Sequence, residues 1–261
     1  MGWTPDKPVR KWRLDGRGLF AALLALSLWA CAPQAHAQEL FPDEGPFASE
    51  TWPDPYRATL RETLVKEHAY RLCQVVAVPA FDPEWAVYLI KRDGGSHEVV
   101  LKMFQKQLRG EVMSDLRRNA QGGWYSIAPR AQEEVLARIP KPVDRLTAPL
   151  SSETAGLLEQ AWGKVLSRVR YPEKETEVVD GTTYYVGQWQ KGSGFRSGRT
   201  VSPELSTTAG RLIDLATALQ AYVQASPAER KAREAALALK ATSLLKYLSN
   251  SDSPRTALNQ R

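Results

Sequence analysis

Apolar side chains recur at alternating spacings of four and three residues in two consecutive segments near the C-terminus. This spacing brings them to one face of an α-helix, so each segment predicts a helix with one buried face. Between the segments, Ser226-Pro227-Ala228-Glu229 is a capping box with Pro at the first helical position, and the short connection predicts an αα-hairpin. The apolar positions are Leu205, Ala209, Leu212, Ala216, Leu219 and Val223 in the first segment, and Leu237, Ala241, Leu244 and Leu248 in the second.

Other helix starts are marked by capping residues. Asp54-Pro55 predicts the start of a helix of about 17 residues that places His68 on an apolar face. Ser151-Ser152-Glu153 predicts a strongly amphipathic helix that ends before Pro172, and Ser202-Pro203-Glu204 predicts the cap of the first C-terminal helix. The sequence therefore predicts four main amphipathic helices.

Stretches rich in β-branched and aromatic residues predict strands. Asp93-Gly94-Gly95-Ser96 predicts a hairpin turn with His97 at the start of the outgoing strand. Because helices and hairpins occur in blocks, the sequence favours an α+β fold: an antiparallel sheet of about four to six strands packed with the four helices. The strands are CQVVAV (73–78), WAVYLIK (85–91), HEVVLKMF (97–104) and TTYYVGQWQ (182–190), with a helix near 107–118, a short strand at 124–127 and a helix at 129–139 between the third and the fourth.

Residues 1–37 have the organisation of a secretion signal. Basic residues precede an apolar run of 14 residues, 19–32, which is shorter than the roughly 20 residues that a membrane-spanning helix needs. Ala35-His36-Ala37 suits a signal peptidase, so cleavage after Ala37 predicts a periplasmic or secreted protein. The alternative is a lipid on Cys31, since Leu28-Trp29-Ala30-Cys31 resembles a bacterial lipobox except at Trp29; this lipid would be the one link to a membrane.

The mature chain divides into three parts. Residues 38–56 are rich in Pro and acidic residues and predict a linker, residues 57–250 predict a single α+β domain, and the polar residues 251–261 predict a disordered tail. Removal of residues 1–37 takes away five basic and two acidic residues, so the net charge falls from +6 to +3. Because this net charge is close to zero, we do not expect nucleic acid as a partner.

Catalytic and cofactor motifs are absent from the sequence. Cys73 is the single cysteine that remains after Cys31 is removed or lipidated, and its preferred interpretation is a buried apolar side chain. The alternative is a nucleophile paired with His97 or His68. Since no G-x-S-x-G, H-E-x-x-H or C-x-x-C motif occurs, we expect neither a metal nor a cofactor.

The strongest candidate for a binding role is residues 191–200, predicted as a loop with three glycines and three cations ahead of the helix capped at Ser202. Glycine N–H groups and a helix N-terminus together favour anions. Tyr185 and Trp189 lie on the strand that leads into this loop and suit a partner contact, with core packing as the alternative. The candidate binding residues are Lys191, Ser193, Gly194, Arg196, Arg199, Tyr185 and Trp189.

These features predict an exported, non-enzymatic binding protein whose partner is another protein or an anionic envelope component. An inhibitor or immunity protein that acts on an envelope enzyme is one version. The first alternative is an envelope hydrolase that uses Cys73 with a histidine. The second is a structural envelope component whose arm, residues 38–56, reaches another protein.

Overall fold

The residues that the computed structural model describes form one sheet of seven strands, and all neighbouring strands are antiparallel. The described ranges are 40–42, 55–66, 71–118, 129–170 and 181–252. The strands are β1 (Phe41–Pro42), β2 (Arg71–Pro79), β3 (Trp85–Lys91), β4 (His97–Phe104), β5 (Val143–Leu150), β6 (Thr182–Gln190) and β7 (Gly194–Val201). Their order is β1-β7-β6-β2-β3-β4-β5, so the β6–β7 hairpin extends the meander of β2 to β5 on its β2 side.

Helices cover both faces of this sheet. They are α1 (Pro55–Leu60), which continues as a π-helical turn (Arg61–Val65), α2 (Leu108–Arg118), α3 (Pro129–Arg138), α4 (Ser152–Leu166), α5 (Thr208–Gln224) and α6 (Pro227–Asp252). Helices α1 to α3 pack on one face, the α1 face, and α4 to α6 pack on the other, the α4 face. Neighbours on β2 alternate between them: Val75 lies in the core of the α4 face and Val76 in that of the α1 face. The predicted α+β class is confirmed.

The C-terminal αα-hairpin is also confirmed, because α5 and α6 pack side by side. Glu229 accepts hydrogen bonds from the Ser226 N–H at 3.1 Å and from its hydroxyl at 2.8 Å, as the capping box predicts. These hydrogen bonds lower the pKa of Glu229. At the start of α4, the Ser151 hydroxyl oxygen accepts the N–H of Thr154 at 3.2 Å. The predicted apolar positions that are buried in the hairpin are Ala209, Leu212, Ala216, Leu219, Val223, Leu237, Ala241, Leu244 and Leu248.

The predicted cap at Ser202 is wrong. The N-cap of α5 is Thr207, whose Oγ1 accepts the N–H of Gly210 at 3.0 Å. Ser202 instead continues the pairing of the sheet, since its N–H donates to the Thr182 carbonyl at 3.0 Å. The φ of Ser202 is +39°, whereas an N-cap residue typically has a φ in the β region. Leu205 consequently lies outside the helix and is 69% exposed.

Two further elements differ from the prediction. The predicted helix of about 17 residues from Pro55 would reach residue 71, where β2 begins; its described part is α1 and the π-helical turn. Strand β5 is absent from the prediction, because a proline such as Pro149 normally indicates that a segment is not a strand. An edge strand tolerates proline, since one side of its backbone has no ladder partner. The predicted strand 124–127 and His68 lie outside the described residues.

Phe41 and Pro42 of the predicted linker belong to the sheet, where they pair with β7 at its edge. Leu40 is buried in the core of the α4 face, and its carbonyl accepts the N–H of Arg170 at 3.3 Å. The linker prediction is therefore wrong for these residues, because an apolar side chain anchors them. At the other end, α6 continues to Asp252, past the predicted start of the tail at 251.

Candidate functional site

The β6–β7 hairpin contains every candidate binding residue. Its turn is residues 191–193, and β7 begins at Gly194, so the predicted loop 191–200 is wrong from that residue onward. The reason is that β7 is paired on both sides, with β6 and with β1. Gly192 and Gly194 have φ values of +83° and +78°, the left-handed conformation that glycine adopts without strain. Since α5 begins only at Thr208, the anion site expected at a following helix start is not formed.

Strand alternation places Arg196 and Arg199 on opposite faces of the sheet. Arg196 stands opposite Gln188, whose Nε2 donates to the Glu159 carbonyl of α4 at 2.9 Å, and Arg196 is exposed. Arg199 stands opposite Tyr185 on the α1 face and is half-buried. The two arginines therefore belong to separate surfaces.

Arginine and aromatic side chains meet where the hairpin lies beside α1. The Cζ atom of Arg57 lies 5.8 Å from the centre of the Tyr185 ring. The Cζ atom of Arg71 lies 5.5 Å from the centre of the Phe195 ring. Such cation–π contacts contribute about 0.5–1 kcal/mol each at exposed sites. We call this surface the arginine–aromatic face, and it consists of Arg57, Arg71, Tyr185, Trp189, Phe195 and Arg199.

A β-bulge turns Arg71 toward this face. The register between β2 and β3 shifts between Arg71 and Cys73, and the extra residue re-aims the strand. Arg71 donates through Nη1 to the Val65 carbonyl at 2.9 Å and through Nε to Oε1 of Gln74. Burial lowers the pKa of Arg71. The bulge cannot be recognised in the letters of β2, so sequence reasoning misses Arg71 and, on α1, Arg57.

Gly187 provides the space for the Phe195 ring. A Cβ on Gly187 would lie 2.3 Å from Cζ of Phe195, closer than side chains approach one another. The ring therefore rests against the backbone of β6, in reach of the Arg71 guanidinium. This glycine within a strand is required by a close approach and not by a turn.

The two aromatic candidates have different surroundings. Tyr185 is only 4% exposed and packs in the core cluster with Tyr56 and Val76, so core packing is its main role. Trp189 is half-buried and stands opposite Phe195. The candidates that are exposed lie at or near the turn, and they are Lys191, Ser193, Gly194 and Arg196.

Cys73 is fully buried in the core of the α4 face. Burial raises the pKa of its thiol well above the usual value, so the protonated form predominates at neutral pH. The residue of β4 that lies level with Cys73, two strands away, is Val99, and His97 precedes it by two residues. These offsets separate the Cα atoms of Cys73 and His97 by about 12 Å. Its Nδ1 is 3.3 Å from the Ser152 hydroxyl, and burial together with Lys91 lowers its pKa. These features argue against a nucleophilic Cys73–His97 pair.

The buried carboxylate of Glu84 has a structural role. It accepts hydrogen bonds from the Tyr56 hydroxyl at 2.5 Å and from the N–H groups of Leu108 and Arg109 at 2.8 and 3.0 Å. Because these are the first residues of α2, Glu84 caps that helix from a different element. Within the five described ranges, no group of three or more His, Cys, Asp or Glu side chains could hold a metal ion.

A second surface lies at the end of the sheet opposite the hairpin turn. Phe81 is 80% exposed and Leu205 is 69% exposed. A groove of about 400 Å³ opens beside Leu205, and the carboxylate of its Asp214 is paired with Lys240. Exposed apolar side chains beside a groove are typical of protein contacts. The groove is lined by Tyr184, Ser202, Pro203, Leu205, Gly210, Ile213, Asp214 and Thr217.

Comparison of the chain with models of protein families, with curated proteins and with solved structures gives no match. None of the described helices is both long enough and apolar enough to cross a membrane. The candidate site therefore depends on the geometry of the hairpin itself.

Proposed function

We propose that this chain is an exported binding protein that contacts an anionic component of the bacterial envelope through the end of the β6–β7 hairpin. The supporting observation is the distribution of charge. Residues 190–201 contain three cations and no acidic residue, and two of the cations, Lys191 and Arg196, are exposed. Neither of these two has an ion pair with any described carboxylate.

Some other surface cations are partly neutralised by a neighbouring carboxylate. Arg92 pairs with Glu98, and Nη2 of Arg138 lies 2.9 Å from a carboxylate oxygen of Asp115. A cation in such a pair has less attraction left for an external anion, because its field is partly cancelled at short range. The charge at the end of the hairpin is not reduced in this way.

The hairpin also holds these groups in place before a partner arrives. Strand β6 lies inside the sheet between β7 and β2, and β7 is paired with β1 on its outer side. The glycines at 192 and 194 already have the turn conformation. Binding to a rigid hairpin avoids the ordering entropy that a mobile loop would lose, which leaves more of the electrostatic attraction for affinity.

The test is a pair of charge reversals. Lys191→Glu with Arg196→Glu is compared with Lys231→Glu and Lys246→Glu, which change the net charge equally at exposed positions on α6. The probe is a vesicle of phosphatidylglycerol and phosphatidylethanolamine at low salt, in a sedimentation assay. Each cation near an anionic surface contributes about 1 kcal/mol, so removing two should weaken binding at least 10-fold. The α6 variant should change it less than 3-fold; equal losses, or no binding by the unsubstituted protein, would refute the proposal.

The alternatives have weaker support. A hydrolase that uses Cys73 would need an accessible thiolate, and the thiol is buried with a raised pKa. A structural component that reaches out through residues 38–56 would need a free arm, and residues 41–42 pair with β7.

A further inference from the structure

We propose that the outer edge of β5 is a self-association surface, through which a second copy of this chain pairs antiparallel about a two-fold axis at Leu146. This edge is separate from the hairpin end, because β2, β3 and β4 lie between β5 and β6. It is accessible, its backbone groups point outward, and its side chains are complementary to those of an identical strand.

Strand β5 leaves one side of its backbone exposed. Among the strands that the structure describes, its one neighbour is β4, and residues 144–146 and Pro149 of β5 are exposed. On the α4 face, Ala148 and Leu150 are buried in the core, whereas Leu146 is 44% exposed. An edge strand of eight residues with an uncovered leucine is a template for pairing with another strand.

The odd-numbered residues of β5 direct their backbone groups to this edge. The N–H of Gln105 donates to the Pro142 carbonyl at 3.1 Å, which continues the ladder between β4 and β5. Since neighbouring residues of a strand direct their N–H and C=O groups to opposite sides, the even-numbered residues bond to β4 and residues 143, 145, 147 and 149 face away from it. Pro149 agrees with this pattern, because it has no N–H and its carbonyl accepts the hydroxyl of Tyr222 from α5.

The residue types select one register for a strand that pairs with a copy of itself. With the axis at residue 146, residues 145 and 147 stand opposite each other on both sides of the axis, and each such pair exchanges two backbone hydrogen bonds. With the axis at Arg145, two arginines would stand directly opposite each other. With the axis at Thr147, residue 145 would face Pro149, which has no N–H to donate. The register centred on Leu146 avoids both faults.

This register also covers the exposed leucine. The two Leu146 side chains lie directly opposite each other on the α4 face, at a non-hydrogen-bonded position where Cα atoms are about 4.5 Å apart. Asp144 stands opposite Ala148, and Arg145 opposite Thr147, so like charges are not directly opposed. A second copy therefore extends the ladder and buries an apolar side chain that its own chain leaves exposed. Because such an interface is small, we expect a weak dimer.

Disulfide cross-linking between copies tests the register, because Cys73 is buried and contributes no accessible thiol. In the full chain with Cys31→Ser, Leu146→Cys would bring two cysteines within the Cα separation of about 4.4–6.8 Å that a disulfide needs. The matched control is Asp144→Cys, which is exposed on the same face of β5 but would lie about 14 Å from its counterpart. In a glutathione buffer, Leu146→Cys should form the covalent dimer at least 10-fold faster. Equal rates, or no dimer from Leu146→Cys, would overturn the proposal.

A proline in β5 supplies a second measurement on the full chain. Thr147→Pro removes an N–H that β4 does not use, and Thr147→Ala keeps it. In sedimentation equilibrium, Thr147→Pro should raise the dimer dissociation constant at least 10-fold, and Thr147→Ala should change it less than 3-fold. Leu146→Lys keeps the backbone and places like charges opposite each other, so it should also raise the constant at least 10-fold.

Circular dichroism checks that each variant keeps its fold. An unsubstituted protein that stays monomeric at about 100 μM, or association that neither Thr147→Pro nor Leu146→Lys weakens, would overturn the proposal. Vesicle binding by the hairpin end is measured separately, so failure here leaves the proposed function standing.

Discussion

Replacing Glu84 by Gln is expected to lower the free energy of unfolding by about 2–4 kcal/mol. The carboxylate of Glu84 accepts three hydrogen bonds, two of them from the first N–H groups of α2. A hydrogen bond to a charged group contributes about 1.5–3 kcal/mol, and a buried donor without an acceptor costs about 1–3 kcal/mol. Glutamine has one acceptor oxygen and would turn its NH₂ group toward at least one of these donors. The donor that loses its acceptor costs about 1–3 kcal/mol, and a bond kept by the neutral amide oxygen is about 1 kcal/mol weaker than the bond to the carboxylate, which together give the stated range.

Asp82→Asn is the matched control, because Asp82 lies in the same connection but is exposed. It should change the unfolding free energy by less than about 0.5 kcal/mol. Tyr56→Phe, which removes one donor and keeps the carboxylate, should cost about 1–2 kcal/mol. Urea unfolding followed by circular dichroism gives all three values, provided that the m-value is unchanged. If Glu84→Gln and Asp82→Asn unfolded at the same urea concentration, Glu84 would not be the cap of α2.

The remaining predictions concern Cys73 and two glycines. Native Cys73 should react with iodoacetamide about 100-fold more slowly than the urea-unfolded chain, as followed by mass spectrometry; equal rates would mean that the thiol is accessible. Because the folded pKa of this thiol is raised and the unfolded thiol ionises near pH 8.5, the unfolding free energy should fall above about pH 8.5, and Cys73→Ala should remove that slope. Gly210→Ala should destabilise by about 2–4 kcal/mol, since its Cβ would lie 1.8 Å from the Glu204 carbonyl oxygen. Gly156→Ala should stabilise α4 by about 0.5–1 kcal/mol, because a Cβ at that position would have nothing within 4 Å. Thermal melts measure both glycine variants, and melting temperatures that shifted in the same direction for Gly210→Ala and Gly156→Ala would contradict these predictions.

Local signals sufficed for the elements whose two ends are both marked in the sequence. Strands β3 and β4 match their predicted limits because a glycine turn joins them and a charged or proline residue bounds them. Helix α6 begins where its capping box predicts. The predicted helix cap at Ser202 is wrong because this residue ends the pairing of β7 with β6, and the helix is capped by Thr207 instead. The pairing of β7 with two neighbours is a long-range effect that the local Ser-Pro signal does not contain.

For the candidate site, the sequence showed which residue types occur together but not which face they occupy. The cations of 191–200 were recognisable as a group, and their distribution over two faces depends on residues 194–201 being a strand. Arg71 joins the face through a β-bulge, and Arg57 joins it through the packing of α1 on β6. Both contacts connect residues far apart in sequence, which periodicity within one segment cannot reveal.

Arg196 and Arg199 have the same chemistry and are three residues apart on one strand, so a comparison of the two isolates the effect of the face. Replacing both together would combine two surfaces in one measurement. Arg196→Ala removes an exposed cation near the turn, where no described side chain depends on it, and should act on vesicle binding alone. Arg199→Ala acts on the α1 face, where the half-buried side chain stands opposite Tyr185, and should change vesicle binding less than 3-fold. Because strand alternation places the two side chains on opposite faces, identical effects of the two substitutions on vesicle binding would mean that β7 does not separate them.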